Sequence, residues 1–400
     1  MKKRVLLIFF ALLMLISITF IIKQNKQTTP KNELVFWTLQ MRDFSPYIQK
    51  IINEFETQNP NLSIKWVDIP FSEGEKRTLA SILSNNPPDL INLNPDFSTL
   101  LAEKGTLLEI NENELTQFSK EIINSLKINN KNYLIPWYAT SAITYSNKNK
   151  TPKTYNQILN ICEEKAHPPL LMFNFAENDT TLKLLNKYGI NSSQNINSKT
   201  AIELFKNLQK AYKNGCFPKE SLTQTHREAL EKFMAGEVQY FEGGTNFLNL
   251  IKENAPKTYN KLTLAPQLVG TSGKYNFSIM NFVIPIKSKK QKEALKFALF
   301  LTNEENQLEL GKLTNVLATN KFTLSNAFYT NAQNNDLSAH ARILSAKQLK
   351  NIQPIPYYKN RKELITLINN ATQQILLKEE NIENILNKLQ KAWKKIEGNY

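Results

Sequence analysis

Between residues 34 and 105 the chain alternates short apolar runs with amphipathic ones, and this alternation limits the fold more than any other feature. Residues 34–39 (LVFWTL) are continuously apolar, as a strand covered on both faces requires. Ser45 and Pro46 carry N-cap and first-turn signals, and Ile48, Ile51, Ile52 and Phe55 recur at helical spacing until Pro60. Leu62, Ile64 and Trp66 alternate as a second strand. Residues 73–84 predict a helix, 89–93 a third strand, and 96–104 a helix stopped at Gly105. With connections this short, the order β-α-β-α-β-α implies a parallel sheet with helices on both faces. Its ligand crevice would lie at the carboxyl ends of the strands.

A length of 400 residues exceeds what one core holds, about 250 to 300, so two lobes are expected. The stretch 131–147 (KNYLIPWYATSAITYSN) reads as the strand joining them: apolar Tyr133 to Ile135, a Pro136-Trp137-Tyr138 turn, then a second strand over 142–145. The aromatic pair would face a cleft beside this hinge. Beyond it Thr154 and Gln157 form a capping box for a helix to about residue 165, and 170–175 reads as a strand. Helices then end at Gly189 and, from Ser198, at Gly215. Thr225 and Glu228 cap a helix to Met234, followed by a strand over 238–241 and a turn, EGGT. Residues 262–265 and 277–285 are further strands, the second long enough to cross back between lobes. From Ser288 the chain is nearly all helix, with Ala294, Phe297, Ala298 and Leu301 on one stripe and two amphipathic helices, 363–377 and 381–396, at the end.

The formal charge of +15 raises the question of a polyanionic partner. Only six of the 50 basic residues are arginine, and the 44 lysines are scattered among 49 asparagines. Bidentate recognition of phosphates and bases favours clustered arginine, so no nucleic-acid partner is expected. Lys2, Lys3 and Arg4 precede an uncharged apolar run, 5–22, followed by Lys23 and a polar stretch to Pro30. Residues 1–30 therefore read as a cleaved signal peptide or an uncleaved membrane anchor, with the body on the outer face of the cytoplasmic membrane or in the periplasm. In that oxidising setting Cys162 and Cys216 either bridge or remain free, since a spacing of 54 residues does not decide proximity.

Catalytic motifs are lacking. His167, His226 and His340 are isolated and none sits at metal-ligand spacing, so no metal, cofactor or catalytic residue is expected. The string GTSGK (270–274) has Leu268 and Tyr275 where a phosphate-binding loop needs Gly and Ser or Thr. Asp43, Asp89 and Asp96 leave a carboxylate pair for sugar hydrolysis open. What stands out instead is a set of rings and planar polar groups near strand ends. Trp37, Trp137, Tyr138, Tyr240, Tyr357 and Tyr358 offer apolar faces; Gln40, Asn94, Asp96, Asn246, Asn276 and Asn281 offer hydrogen bonds. A sugar presents both kinds of surface.

Eight strings in order resemble the extracellular solute-binding proteins of ABC importers, specifically the maltose-binding-like sugar group. Among them are FETQNPNLSIKW (55–66), PPDLINLN (87–94), NKNYLIPWYATSAITYSNK (130–148), FMAGEVQYFEGG (233–244) and KSKKQKEALKFALFLTNEENQLELG (287–311). The resemblance implies an α/β, two-lobed periplasmic-binding-protein-like fold of type II, each lobe a mostly parallel sheet covered by helices, joined by crossing hinge strands. Lobe I would comprise 31–143 and 278–325, and lobe II 144–277 and 326–400. It implies a monomer that closes on a mono- or oligosaccharide and then docks on the permease subunits. Ligand residues would follow the first strand (Trp37, Gln40, Arg42) and PPDLINLN (Asn94, Asp96). Others would be Trp137 and Tyr138, the EGGTN region (Tyr240, Gly244, Asn246), Asn276, and the late Pro-aromatic segment (Tyr357, Arg361). Gln239 and Tyr240 stand where this family has Ala-Met, and Asn246 and Phe247 follow the glycines where the family has a Trp or Tyr. An enzyme using the same cleft, and an anchored sensor that kept the fold, are the competing readings.

Overall fold

The computed structural model describes residues 32–163, 169–175, 177–332, 336–353, 356–358, 360–378 and 380–398. The expected leader or anchor (1–30) and His167 lie outside these residues. Among the described residues no helix is long and apolar enough to cross a membrane.

Strands β1 (Asn32–Leu39), β2 (Leu62–Ile69) and β3 (Leu90–Leu93) pair in parallel in the order β2-β1-β3. The intervening helices, Ser45–Gln58 and Phe71–Leu83, supply the crossovers that parallel pairing requires. Phe36 of β1 and Phe55 of the first helix both pack on Phe297 of the helix Gln291–Leu301, with ring centroids 5.3 Å and 4.8 Å apart. Side chains this fully buried contribute roughly 1.5–3 kcal/mol each, so the stripe read from residues 48–55 is the cement of this half.

Strand β4 (Ile135–Ser146) is long enough to serve both halves. Its first part, 135–141, runs antiparallel to β7 (Tyr275–Val283), which in turn pairs with β3. Its last part, 142–146, lies between β5 (Tyr240–Gly244) and β6 (Thr263–Pro266). The short strands β8 (Leu317–Ala318) and β9 (Ile352–Gln353) pair with β4 and β7. The expected crossing strands are therefore β4 and β7.

The fold is mixed α/β: the first half pairs β1, β2 and β3 in parallel, and the second half departs from mostly parallel pairing. β5 and β6 are antiparallel to β4, because both return onto a strand that arrives from the other half. Residues 170–175 make a single parallel bridge, Leu171 to Tyr240, in place of a ladder. Leu170 instead donates its N–H to the Cys216 carbonyl (2.8 Å), beside the disulfide that joins Cys162 to Cys216 across Cα atoms 5.8 Å apart. The helix Tyr155–Ile161 ends with Cys162 as its C-cap, short of the expected residue 165. Closing a loop of 54 residues removes about 4 kcal/mol of denatured-state entropy.

The glycines read as a turn belong to β5. A side chain on Gly243 would come within 2.8 Å of the rings of Phe241 and Phe247, so glycine is what lets these rings close over the strand. Both capping boxes, Thr154–Gln157 and Thr225–Glu228, form. The second half packs its helices Lys199–Lys213, Arg361–Leu377 and Ile382–Gly398 around Phe205, Ile368 and Trp393.

Candidate functional site

Where β4 and β7 pass from one half to the other they carry the small hydroxyl residues Thr140, Ser141 and Ser278. These form the floor of a cavity of about 630 Å³. Its walls come from Met172 to Asn174, from Asp179 and the helix Thr180–Lys187, from His226 at the start of the helix His226–Ala235, and from β5 with Asn246. A second cavity of about 400 Å³ adjoins it, sharing Asp179, Lys183, Phe277 and Ser278, and is lined on the far side by Asn94, Asp96, Tyr357 and Arg361.

The partition between the two is an ion-pair bridge. Arg361, at the first position of its helix, donates one guanidinium N–H to Asp96 and another, at 2.5 Å, to Asp179. Asp96 opens the helix Pro95–Glu103 of the first half, so the bridge ties the halves together. The two carboxylates respond in opposite senses. Burial raises Asp96 above the usual carboxylate range, with the Arg361 charge offsetting part of it and Asp179 and Glu75 adding repulsion. Burial also pushes Asp179 upward, but Lys183, 2.9 Å away, and Arg361 together outweigh it and hold the group low.

On the opposite wall Glu242 of β5 accepts the Leu268 N–H at 2.6 Å and the Tyr155 hydroxyl. The Lys187 ammonium lies 3.9 Å from the same carboxylate, donates to the Leu268 carbonyl at 2.5 Å and sits 5.1 Å above the Tyr155 ring. Burial draws the Lys187 pKa down, with Glu242 opposing; burial and Glu242 drive the Tyr155 hydroxyl well up. Asp96, Asp179, Glu242, Lys183, Lys187 and Arg361 therefore all spend their charge on one another. Also facing the cavities are hydroxyls, amides, ring edges, the His226 imidazole and the carboxylates of Glu177 and Glu103. Ser141 Oγ is buried with no hydrogen-bond partner among the described residues, an orphan that a ligand hydroxyl would satisfy. No group of His, Cys, Asp and Glu suited to a metal ion occurs among the described residues.

Seven of the expected ligand residues border these cavities: Asn94, Asp96, Tyr357 and Arg361 the smaller, Gly244, Asn246 and Asn276 the larger. Two of them are largely spent. Asn94 caps a helix through the Phe97 N–H (2.9 Å), and Asn276 bonds to the Lys183 carbonyl (3.0 Å) and to Gln353 (3.1 Å). Six others border neither cavity. Trp137 is fully buried and stacks on Phe282, with centroids 4.6 Å apart. A ring here faces the first-half core because the register shifts between Pro136 and Tyr138 and the Trp137 carbonyl is taken by Gln307 (2.5 Å) and Thr319 (3.0 Å). Tyr138 packs at its edge, 5.0 Å away, and burial pushes its hydroxyl up to about 12. Tyr240 is buried in the second-half core. Trp37 packs between β2 and β3, opposite Val67 and Ile91. Gln40 turns outward with φ 54°, and the Arg42 backbone N–H is bound by Asp68 at 3.0 Å. Of the unforeseen wall residues, Thr140, Ser141 and Ser278 had a signal, a polar break in an otherwise apolar crossing strand. Lys187, Glu242 and His226 had none beyond their type.

A family model described as bacterial extracellular solute-binding protein matches residues 40–308. The chain belongs to that family. Among solved structures this solute-binding protein is similar to the proposed oligosaccharide periplasmic-binding protein of Synechococcus sp. MITs9220, with TM-score 0.78 and 24% identity over 90% of this chain and 98% of that one. It is also similar to the maltose-binding periplasmic protein MalE of Listeria monocytogenes in complex with maltose, with TM-score 0.76 and 18% identity over 92% and 98%. At such identities the likeness shows the fold. A curated relative, a multiple sugar-binding protein of Streptococcus mutans, is 27% identical over 135 residues, which span 31% of this chain and 32% of that protein.

Proposed function

We propose that this protein is the solute-capturing subunit of an ABC importer, holding a neutral polyhydroxylated solute, a mono- or oligosaccharide, between two lobes and passing it unaltered to a membrane permease. In this reading lobe I is 31–143 with 278–325, and lobe II is 144–277 with 326–400. The observation that carries it is that every lysine and arginine lining the cavities is paired with a carboxylate. A chain of net charge +15 presents a crevice whose cations are all matched by its own carboxylates, while unpaired hydroxyl groups line the floor. Such a site repays a neutral ligand rich in hydroxyls and gives no free cation to a phosphate or carboxylate. The names of the relatives, sugar-binding and maltose-binding proteins, point the same way. The hydroxyl-bearing floor lies on the crossing strands, so a ligand there touches the hinge itself. Differential affinity for the closed arrangement would then shift the hinge population.

The test is thermal-shift screening of the exported body against mono- and oligosaccharides, amino acids and phosphates, with product analysis in the same wells. Stabilisation by a sugar without turnover is the expected result. Hydrolysis of that sugar, or binding confined to charged solutes, overturns the assignment.

A further inference from the structure

We infer that His226 is a specificity-determining residue of the solute cavity, reading a ligand hydroxyl with a neutral imidazole and making capture dependent on pH. The inference rests on the solute-capture reading above. His226 is the first residue of its helix, and its backbone is fixed twice over. The Thr225–Glu228 capping box lies under it, and its own N–H is donated to the Glu177 carboxylate. The ring lies on Phe241, centroids 4.8 Å apart and planes 29° from parallel, with Phe247 edge-on at 5.6 Å. It is thus held without a polar contact of its own: neither ring nitrogen has a hydrogen-bond partner among the described residues, and the residue borders the cavity. A ring placed so firmly with both polar atoms unspent has the form of a ligand group. It occurs in a chain where Asn246 and Phe247, and no Trp or Tyr, come soon after the β5 glycines.

A neutral imidazole offers one donor and one acceptor, the pair that a sugar hydroxyl complements. The ionisable groups facing it are Glu242 from β5 and Lys183 from the neighbouring helix, with Glu177 engaged through the backbone. Burial lowers the pKa, Glu242 counters and Lys183 adds to the lowering. A solute filling the cavity removes further water and favours the neutral ring again. Binding therefore strengthens as pH rises and levels off above the pKa of the ring in the free folded protein, which lies below the ordinary histidine value of about 6.5. On the acid side, capture releases a proton.

Titration calorimetry of the wild-type protein, with the sugar that stabilises it most in the panel above, tests this at about pH 7.5 and about pH 5. Wild type should lose about tenfold in affinity at the lower pH. His226→Phe, which keeps the stacking, should be about tenfold weaker at the higher pH and insensitive to pH. His226→Gln, which keeps a donor and an acceptor, should bind within a few-fold of wild type and also be insensitive to pH. If both variants match wild type in affinity and pH dependence, the role of His226 is overturned while solute capture stands. If no sugar binds wild type, both fall together.

Discussion

Trp137 and His226 are stacked in nearly the same way, on Phe282 at 4.6 Å and 28° and on Phe241 at 4.8 Å and 29°, yet one belongs to the core and the other to the cavity. Trp137 sits on β4 with its second face against side chains of the first half, fully out of solvent. His226 sits at a helix start on the cavity wall, half-buried, with Phe241 stacked on it and Phe247 edge-on. Stacking geometry therefore does not mark a ligand site. What marks one is whether the stacked ring borders a cavity, as His226 does and Trp137 does not.

The sharpest way to break this contrast is Trp137→Ala. A buried indole should cost about 3–5 kcal/mol of stability on truncation, read as a lower urea midpoint. An unchanged midpoint would return Trp137 to the cavity side.

Arg361→Ala comes next. It strands Asp96 and leaves Asp179 to Lys183 alone, and because the Asp96 side chain is 40% exposed the cost should be about 1–2 kcal/mol. Solution scattering should also show more open conformers, since the bridge joins the two halves. An identical scattering profile would mean that the bridge does not hold the halves together.

The smallest effect is His226→Gln on stability alone, about 1 kcal/mol or less at neutral pH. Its sign with pH follows from the lowered pKa. Below the ordinary value near 6.5 the unfolded histidine takes up a proton that the folded one resists, so wild-type stability falls as pH drops through that range. His226→Gln should remove this component in chemical denaturation at several pH values. Asp179, held low, contributes stability that is complete above the ordinary carboxylate range and drains only below it, so the two groups separate along the pH axis.

Much of the scaffold was legible in the chain. The stripe at Ile48, Ile51, Ile52 and Phe55, the two capping boxes and the stops at Gly105, Gly189 and Gly215 all mark real helix faces and ends. So do the long crossing strands. The site was legible only in part. Gly244, Asn246, Asp96 and Arg361 do border the cavities, but Asp96 and Arg361 meet each other, 265 positions apart in sequence. Trp37, Trp137, Tyr138 and Tyr240 looked like sugar platforms because a large ring near a strand end suits a core and a cleft equally well.

What the sequence determined by itself was what depends on neighbours within a turn or two: periodicity, caps, glycine stops and strand-length apolar runs, whose energies are set by residues about four apart. Tertiary structure alone decided which ring faces are covered, which charges cancel, and that Cys162 meets Cys216. Burial and pairing arise when distant segments are brought together, and a position carries no local trace of what will lie against it.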